Sequence, residues 1–141
     1  SVHQMFQPAH IDNFRSRVPG GKVISHPENA MEVCSKSDFV GSTEYILRTV
    51  RGSKAGDHWL VGTELNLVNR LADEMKPLGV KVEFMSPTVC MCSTMFRTDP
   101  QHLAWTLDNL VAGKVVNQIR VPEDIANPAR AALDLMLEVV D

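Results

Sequence analysis

One local pattern occurs three times in this chain: a short apolar run, a polar turn built on glycine or proline, and an amphipathic stretch. It appears as Lys22 to Ser25, His26-Pro27-Glu28, then Asn29 to Lys36. It returns as Phe39-Val40, Gly41-Ser42-Thr43 and a stretch carrying Ile46, Leu47 and Val50, and again as Trp59-Leu60-Val61, Gly62-Thr63-Glu64 and a stretch carrying Leu67, Val68, Leu71 and Met75. Short runs rich in β-branched and aromatic residues are strands, and apolar residues three and four apart mark one face of a helix. The turns Val40-Gly41-Ser42 and Val61-Gly62-Thr63 lie 21 positions apart, an ordinary length for such a unit. Parallel strands need a crossover between them, and the crossover helices must bury their apolar stripes against the sheet. The repetition therefore predicts an α/β fold, with a parallel sheet of about four strands flanked by helices in three layers.

The rest of the chain extends this plan. Pro8 to Arg17 reads as a helix with proline at an early position and Ile11, Phe14 and Val18 on one side, closed by Pro19-Gly20-Gly21. Val80 to Met85 reads as the fourth strand, with Val80, Val82 and Phe84 alternating. Pro100 to Val111 reads as a helix, Val115 to Val121 as extended, and Pro128 to Val139 as a terminal helix. The expected division is an α/β domain over residues 1–113 and a C-terminal extended segment with a helix over 114–141.

Composition removes several classes of partner. A net charge of -3 with no basic stripe argues against nucleic acid. No apolar run approaches the roughly 20 residues of a membrane span, and three cysteines without framework spacing suit a reducing compartment, so the expected location is cytoplasmic. The sequence starts at Ser1 and not at methionine, as a piece of a longer protein would.

Ligands of open parallel sheets bind beyond the carboxyl ends of the strands. Each such end here carries polar groups: His26 and Glu28, Ser42 and Thr43, Thr63 and Glu64, then Cys90 and Cys92. Glycine turns leading into helix N-termini favour a phosphate or carboxylate. The plainer reading is that Ser42, Thr43 and Thr63 are N-caps, since such residues are preferred there whatever the function. His26 and Glu28 set an imidazole that titrates near neutrality beside a carboxylate, which suits proton transfer; a histidine at a helix start is the plainer alternative. His3 has no context within the chain, and nothing is assigned to His10, His58 or His102. Trp59 and Trp105 read as core, and Met91 with Met95 as packing. Cys90 and Cys92 are either buried small hydrophobes or metal ligands, and two thiols with Cys34 inside a helix cannot complete a four-ligand site.

These positions together resemble the C-terminal portion of quinolinate synthase, the iron-sulfur enzyme of NAD biosynthesis. The resemblance runs nearly end to end and rests on four blocks: Ser1-Val2-His3, matching the tail of a Cys-x-Val-His motif; Val23-Ile24-Ser25-His26-Pro27-Glu28; Asp38-Phe39-Val40-Gly41-Ser42-Thr43; and Val61-Gly62-Thr63-Glu64. Cys92 with Met95 matches a Cys-x-x-Met segment, and Leu103 to Leu110 with Val116-Asn117 continue the match. The resemblance implies one of three similar α/β domains around a [4Fe-4S] cluster, with Cys92 as the ligand this chain supplies. It implies condensation of iminoaspartate with dihydroxyacetone phosphate to quinolinate, the open iron acting as a Lewis acid. It implies a partner enzyme, L-aspartate oxidase or aspartate dehydrogenase, to supply the iminoaspartate. His26, Glu28 and His3 match catalytic positions, with His26 and Glu28 also contacting substrate, and Ser42 and Thr43 match residues that hold substrate oxygens. Asn29 stands where many members have cysteine or serine, Ser93-Thr94 replace the common Pro-Asn, and Cys90 is an additional thiol. The competing readings are a non-catalytic α/β module that binds a phosphorylated metabolite or a partner protein, and a hydrolase using Cys92 with His26.

Overall fold

The computed structural model describes residues 2–88 and 94–140. Its contacts divide into two compact units, residues 1–97 and 98–141.

The first unit holds the sheet. Helix α1 (Pro8–Arg17) precedes strand β1 (Lys22–Ser25), and the chain continues through α2 (Met31–Lys36), β2 (Phe39–Val40), α3 (Thr43–Arg51), β3 (His58–Gly62), α4 (Leu65–Met75) and β4 (Lys81–Phe84). All pairings are parallel and the strand order is β2-β1-β3-β4. Ile24 lies opposite Phe39 on one side and Val61 on the other, and Val61 in turn opposite Phe84.

Alternation along the strands separates two cores. Ile24, Trp59 and Val61 join Ile46, Leu47 and Val50 of α3 and Val68, Leu71 and Met75 of α4. Val23 and Leu60 point the other way, to Ile11 and Phe14 of α1 and Val33 of α2, with Val2 and Phe6 closing the same cluster. The expected three layers follow, because side chains of a strand alternate between faces while each helix has one stripe to bury. Full burial of one such side chain contributes roughly 1.5–3 kcal/mol. The buried Trp59 indole donates to Ser53 Oγ at 2.7 Å, and at the edge of the sheet Glu83 accepts from Arg17 at 2.8 Å and pairs with His58 at 2.7 Å. These two partners hold the Glu83 carboxyl below its ordinary value, Arg17 contributing most.

The second unit contains α5 (Pro100–Val111) and α6 (Glu123–Val140). Asp99 caps α5, accepting from the His102 backbone at 2.7 Å. Residues 115–121 form neither helix nor strand, with Asn117 at φ of 56°. In the same region the structure corrects three expectations. The terminal helix starts at Glu123, where the Pro122 carbonyl accepts from Ile125 and Ala126, and it continues through Pro128; proline is favoured at helix starts, which is why the sequence suggested a later one. Trp105 is half-exposed while Trp59 is buried. Met95 is likewise exposed, and Met91 lies outside the described residues. Among the described residues no helix is long and apolar enough to cross a membrane.

Candidate functional site

The strand order fixes where a site can form. After β1 the chain turns outward to β2 through α2 on one face of the sheet; after β3 it turns the opposite way to β4 through α4 on the other face. Between the carboxyl ends of β1 and β3 the two connections diverge, which leaves a crevice there. His26 and Glu28 follow β1, and Thr63 follows β3. The two ends are tied together: His26 N–H donates to the Gly62 carbonyl at 3.1 Å, and the buried Asn29 amide donates to the carbonyls of His26 at 2.7 Å and Gly62 at 2.8 Å. That use of Asn29 is why α2 begins at Met31 and not at Asn29 as the sequence suggested. A Cβ on Gly62 would lie 3.1 Å from Ser25 Oγ and 2.8 Å from the mobile end of Met85, so any larger residue here would have to displace the Met85 side chain.

His3 completes the group from a 3-10 turn over Val2–Met5, whose Val2 and the following Phe6 are seated in the core. Its ring stacks on His26 with centroids 4.8 Å apart and planes 17° apart. His3 Nδ1 stands 3.0 Å from Glu28 Oε2 and His3 Nε2 stands 3.4 Å from Thr63 Oγ1. The Glu28 backbone N–H donates to His26 Nδ1 at 3.3 Å. That bond needs a bare Nδ1, so the neutral His26 ring carries its proton on Nε2. In His3 the carboxylate is the stronger acceptor and takes the proton of Nδ1, leaving Nε2 bare. Burial, reinforced by the charge of His26, pulls the His3 pKa below its ordinary 6.5, and Glu28 opposes this. Ligand atoms of His3, His26 and Glu28 come within 4.8 Å of one another. Chelation does not suit them, because imidazole lone pairs lie in the ring plane and two nearly parallel stacked rings cannot aim at one cation. The arrangement suits proton transfer.

The two glycine turns present different surfaces. Ser42 caps α3, its Oγ accepting from Tyr45 N at 3.3 Å, and Ser42, Thr43 and Glu44 are exposed. Gly41 N–H donates to the Ser25 carbonyl at 3.1 Å, which sets this turn one strand away from His26 on the same edge of the sheet. At α4 the cap is Glu64 and not Thr63: Glu64 Oε2 accepts from Leu67 N at 3.0 Å, and both residues are buried. A carboxylate already caps that helix, whereas α3 is capped by a neutral serine and carries its own acidic residue, the exposed Glu44, in the first turn.

Residues 1–138 match the family model described as NadA, quinolinate synthetase A protein. The chain belongs to the quinolinate synthase family. It is 50% identical over 139 residues to the protein named quinolinate synthase from Acidobacterium capsulatum, covering 99% of this chain and 37% of that protein. A relative of the same name from Rhodopirellula baltica is also 50% identical, with 99% and 35% covered, and one from Streptomyces coelicolor is 44% identical over 137 residues, with 97% and 35% covered. The chain thus spans about a third of the length of the curated relatives it matches.

Quinolinate synthases use a [4Fe-4S] cluster, and the donor set here bears on where one would attach. Cys34 is the one cysteine among the described residues, and its thiol turns to the carbonyls of His26 at 3.7 Å and Asn29 at 3.6 Å, inside α2. It offers no open thiolate. Cys90 and Cys92 lie outside the described residues. The chain leaves β4 through Met85 and Ser86, both buried, at the edge where His26, Ser42 and Thr63 end their strands. The chain therefore leaves β4 at the same edge of the sheet. Of the groups brought together, spacing pointed to His26 and Glu28. His3 came from the family motif alone, and Thr63 was hidden by its likeness to a cap; the acidic residue following it was the available signal, because two candidate caps compete for one helix.

Proposed function

We propose that the protein carrying this chain condenses iminoaspartate with dihydroxyacetone phosphate to form quinolinate, and that this region supplies the proton-transfer wall of the site and its anion-binding turn. The observation that carries the reading is the His3–His26 stack closed by Glu28, set beside the exposed mouth of α3. His26 presents an Nε2–H that can donate to a departing or developing oxygen. Glu28 orients His3 and stabilises its charged form when that ring accepts a proton. The exposed N–H groups at the start of α3, with the hydroxyls of Ser42 and Thr43, hold the oxygens of the phosphorylated substrate. Cys92 would be the ligand this chain gives to the [4Fe-4S] cluster, whose open iron supplies Lewis-acid chemistry when bound. A reducing cytoplasm suits both the cluster and the free thiols, and an aspartate oxidase or dehydrogenase would supply the unstable imine.

The test is anaerobic purification of the full-length protein followed by an assay of quinolinate from the two substrates. A brown, iron-containing protein with turnover is expected, with Cys92→Ser losing colour and activity and Cys90→Ser keeping both. Iron-free protein of normal fold that binds phosphorylated metabolites without turnover would overturn the reading in favour of a binding module. The 141-residue chain alone is expected to show no turnover after cluster reconstitution, because one thiolate cannot hold a cluster that the family fixes with three.

A further inference from the structure

Thr63 has no role in the reading above, although its surroundings are specific. It is 3% exposed at the end of β3, and a hydroxyl so placed must find a hydrogen-bond partner. It does not cap α4, since Glu64 does. Among the described residues its hydroxyl bonds to His3 Nε2 alone, at 3.4 Å. The opposite nitrogen of that ring faces Glu28 Oε2 at 3.0 Å. A carboxylate takes the ring proton in preference to a hydroxyl, so Nε2 is bare and the Thr63 O–H must be the donor.

We propose that Thr63 is a positioning residue for His3: its hydroxyl donates to Nε2 and holds the ring proton on Nδ1, against Glu28. This rests on the proposed proton-transfer role of the histidine pair. The two stacked rings are then fixed in opposite tautomers, His26 with its proton on Nε2 and His3 with a lone pair there. Such a pair gives a proton at one Nε2 and accepts one at the other without either ring turning. The stiffness of a β-branched side chain at χ1 makes threonine suited to this task, because the hydroxyl direction is set by the strand that carries it. Among the described residues the charged or titratable groups facing His3 are His26 and Glu28, both from the turn after β1; the β3–α4 turn contributes a neutral hydroxyl, the Glu64 carboxylate being engaged with the backbone of α4.

The experiment uses the full-length protein with 15N-labelled histidine, His3 being assigned by His3→Asn. In the unsubstituted protein above neutral pH, His3 is expected to show a protonated Nδ1 and a bare Nε2, and His26 the reverse. Thr63→Val removes the hydroxyl at nearly constant shape; kcat should fall about threefold to tenfold with KM little changed, and the His3 signals should shift towards mixed tautomers. Thr63→Ser should restore both. A His3 ring protonated on Nε2 in the unsubstituted protein overturns the proposal whatever the variants do. So does an unchanged kcat in Thr63→Val, a change confined to KM, or a loss that serine does not rescue. If the protein makes no quinolinate, the functional reading fails, while the tautomer measurement still decides the role of Thr63.

Discussion

The mouths of α3 and α4 begin from almost the same sequence, Val40-Gly41-Ser42-Thr43 and Val61-Gly62-Thr63-Glu64, and end in opposite electrostatic states. At α3 a neutral serine takes one backbone N–H, and the remaining first-turn donors face solvent. At α4 a buried carboxylate takes the cap, and one of its oxygens, Oε1, has no hydrogen-bond partner among the described residues. The difference begins in the sheet. β2 is a two-residue edge strand, so its turn is open, whereas β3 is central and its turn is covered by Met85 and the β1 end. One repeated unit thereby yields an open helix mouth and a closed one.

The largest effect should come from making the open mouth resemble the closed one. Ser42→Glu keeps a competent cap, as Glu64 demonstrates, but sets a carboxylate at the proposed binding position of the substrate oxygens. The KM for dihydroxyacetone phosphate is expected to rise at least about tenfold, with the unfolding midpoint in urea nearly unchanged. Next is the scaffold itself: Glu64→Ala should destabilise the fold by about 1–3 kcal/mol in urea titration, through lost capping and lost buried packing, against less than about 1 kcal/mol for the exposed Ser42→Ala. Equal losses at the two caps would remove the distinction between them. Thr43→Ala should raise KM about threefold to tenfold without a measurable change in stability. An unchanged KM would leave the hydroxyl as a bystander at the helix start.

The smallest effect is a pH dependence that only the buried side should show. His3 has a pKa below 6.5 in the folded protein, so the unfolded chain binds more protons than the folded one as pH falls past that value. Its contribution is complete above the ordinary pKa and is lost as pH drops through the lowered one. Unfolding free energies of the unsubstituted protein and of His3→Asn, compared between pH 7.5 and 5, should diverge in that direction. No such slope should arise from Ser42 or Thr43, which do not titrate.

Most of the architecture was legible because period and punctuation agreed: β1, β2, α1 and α5 fall where apolar spacing and the flanking glycine and proline place them. The failures share one cause. The start of α2 is shifted because Asn29 uses its amide on the carbonyls of His26 and Gly62, and Thr63 resembles a cap in sequence because its partner is 60 residues away. Local pattern records what a residue can do with its neighbours and is silent on contacts made across the sheet. Trp105 differs for a related reason: apolar composition says that a residue seeks cover without saying that its own unit provides it.

The 3-10 turn that brings His3 to the crevice is held chiefly by two seated side chains, Val2 and Phe6, the latter meeting the Phe84 ring edge-on at 5.4 Å. Unlike His26, which rides on a strand end bonded on both sides, His3 is carried by a turn outside the sheet. Unseating two apolar side chains costs a few kcal/mol, well short of global unfolding. The turn is therefore expected to open locally more readily than the sheet it leans on. Amide exchange over residues 3–6 should run ahead of exchange in β1 and β3.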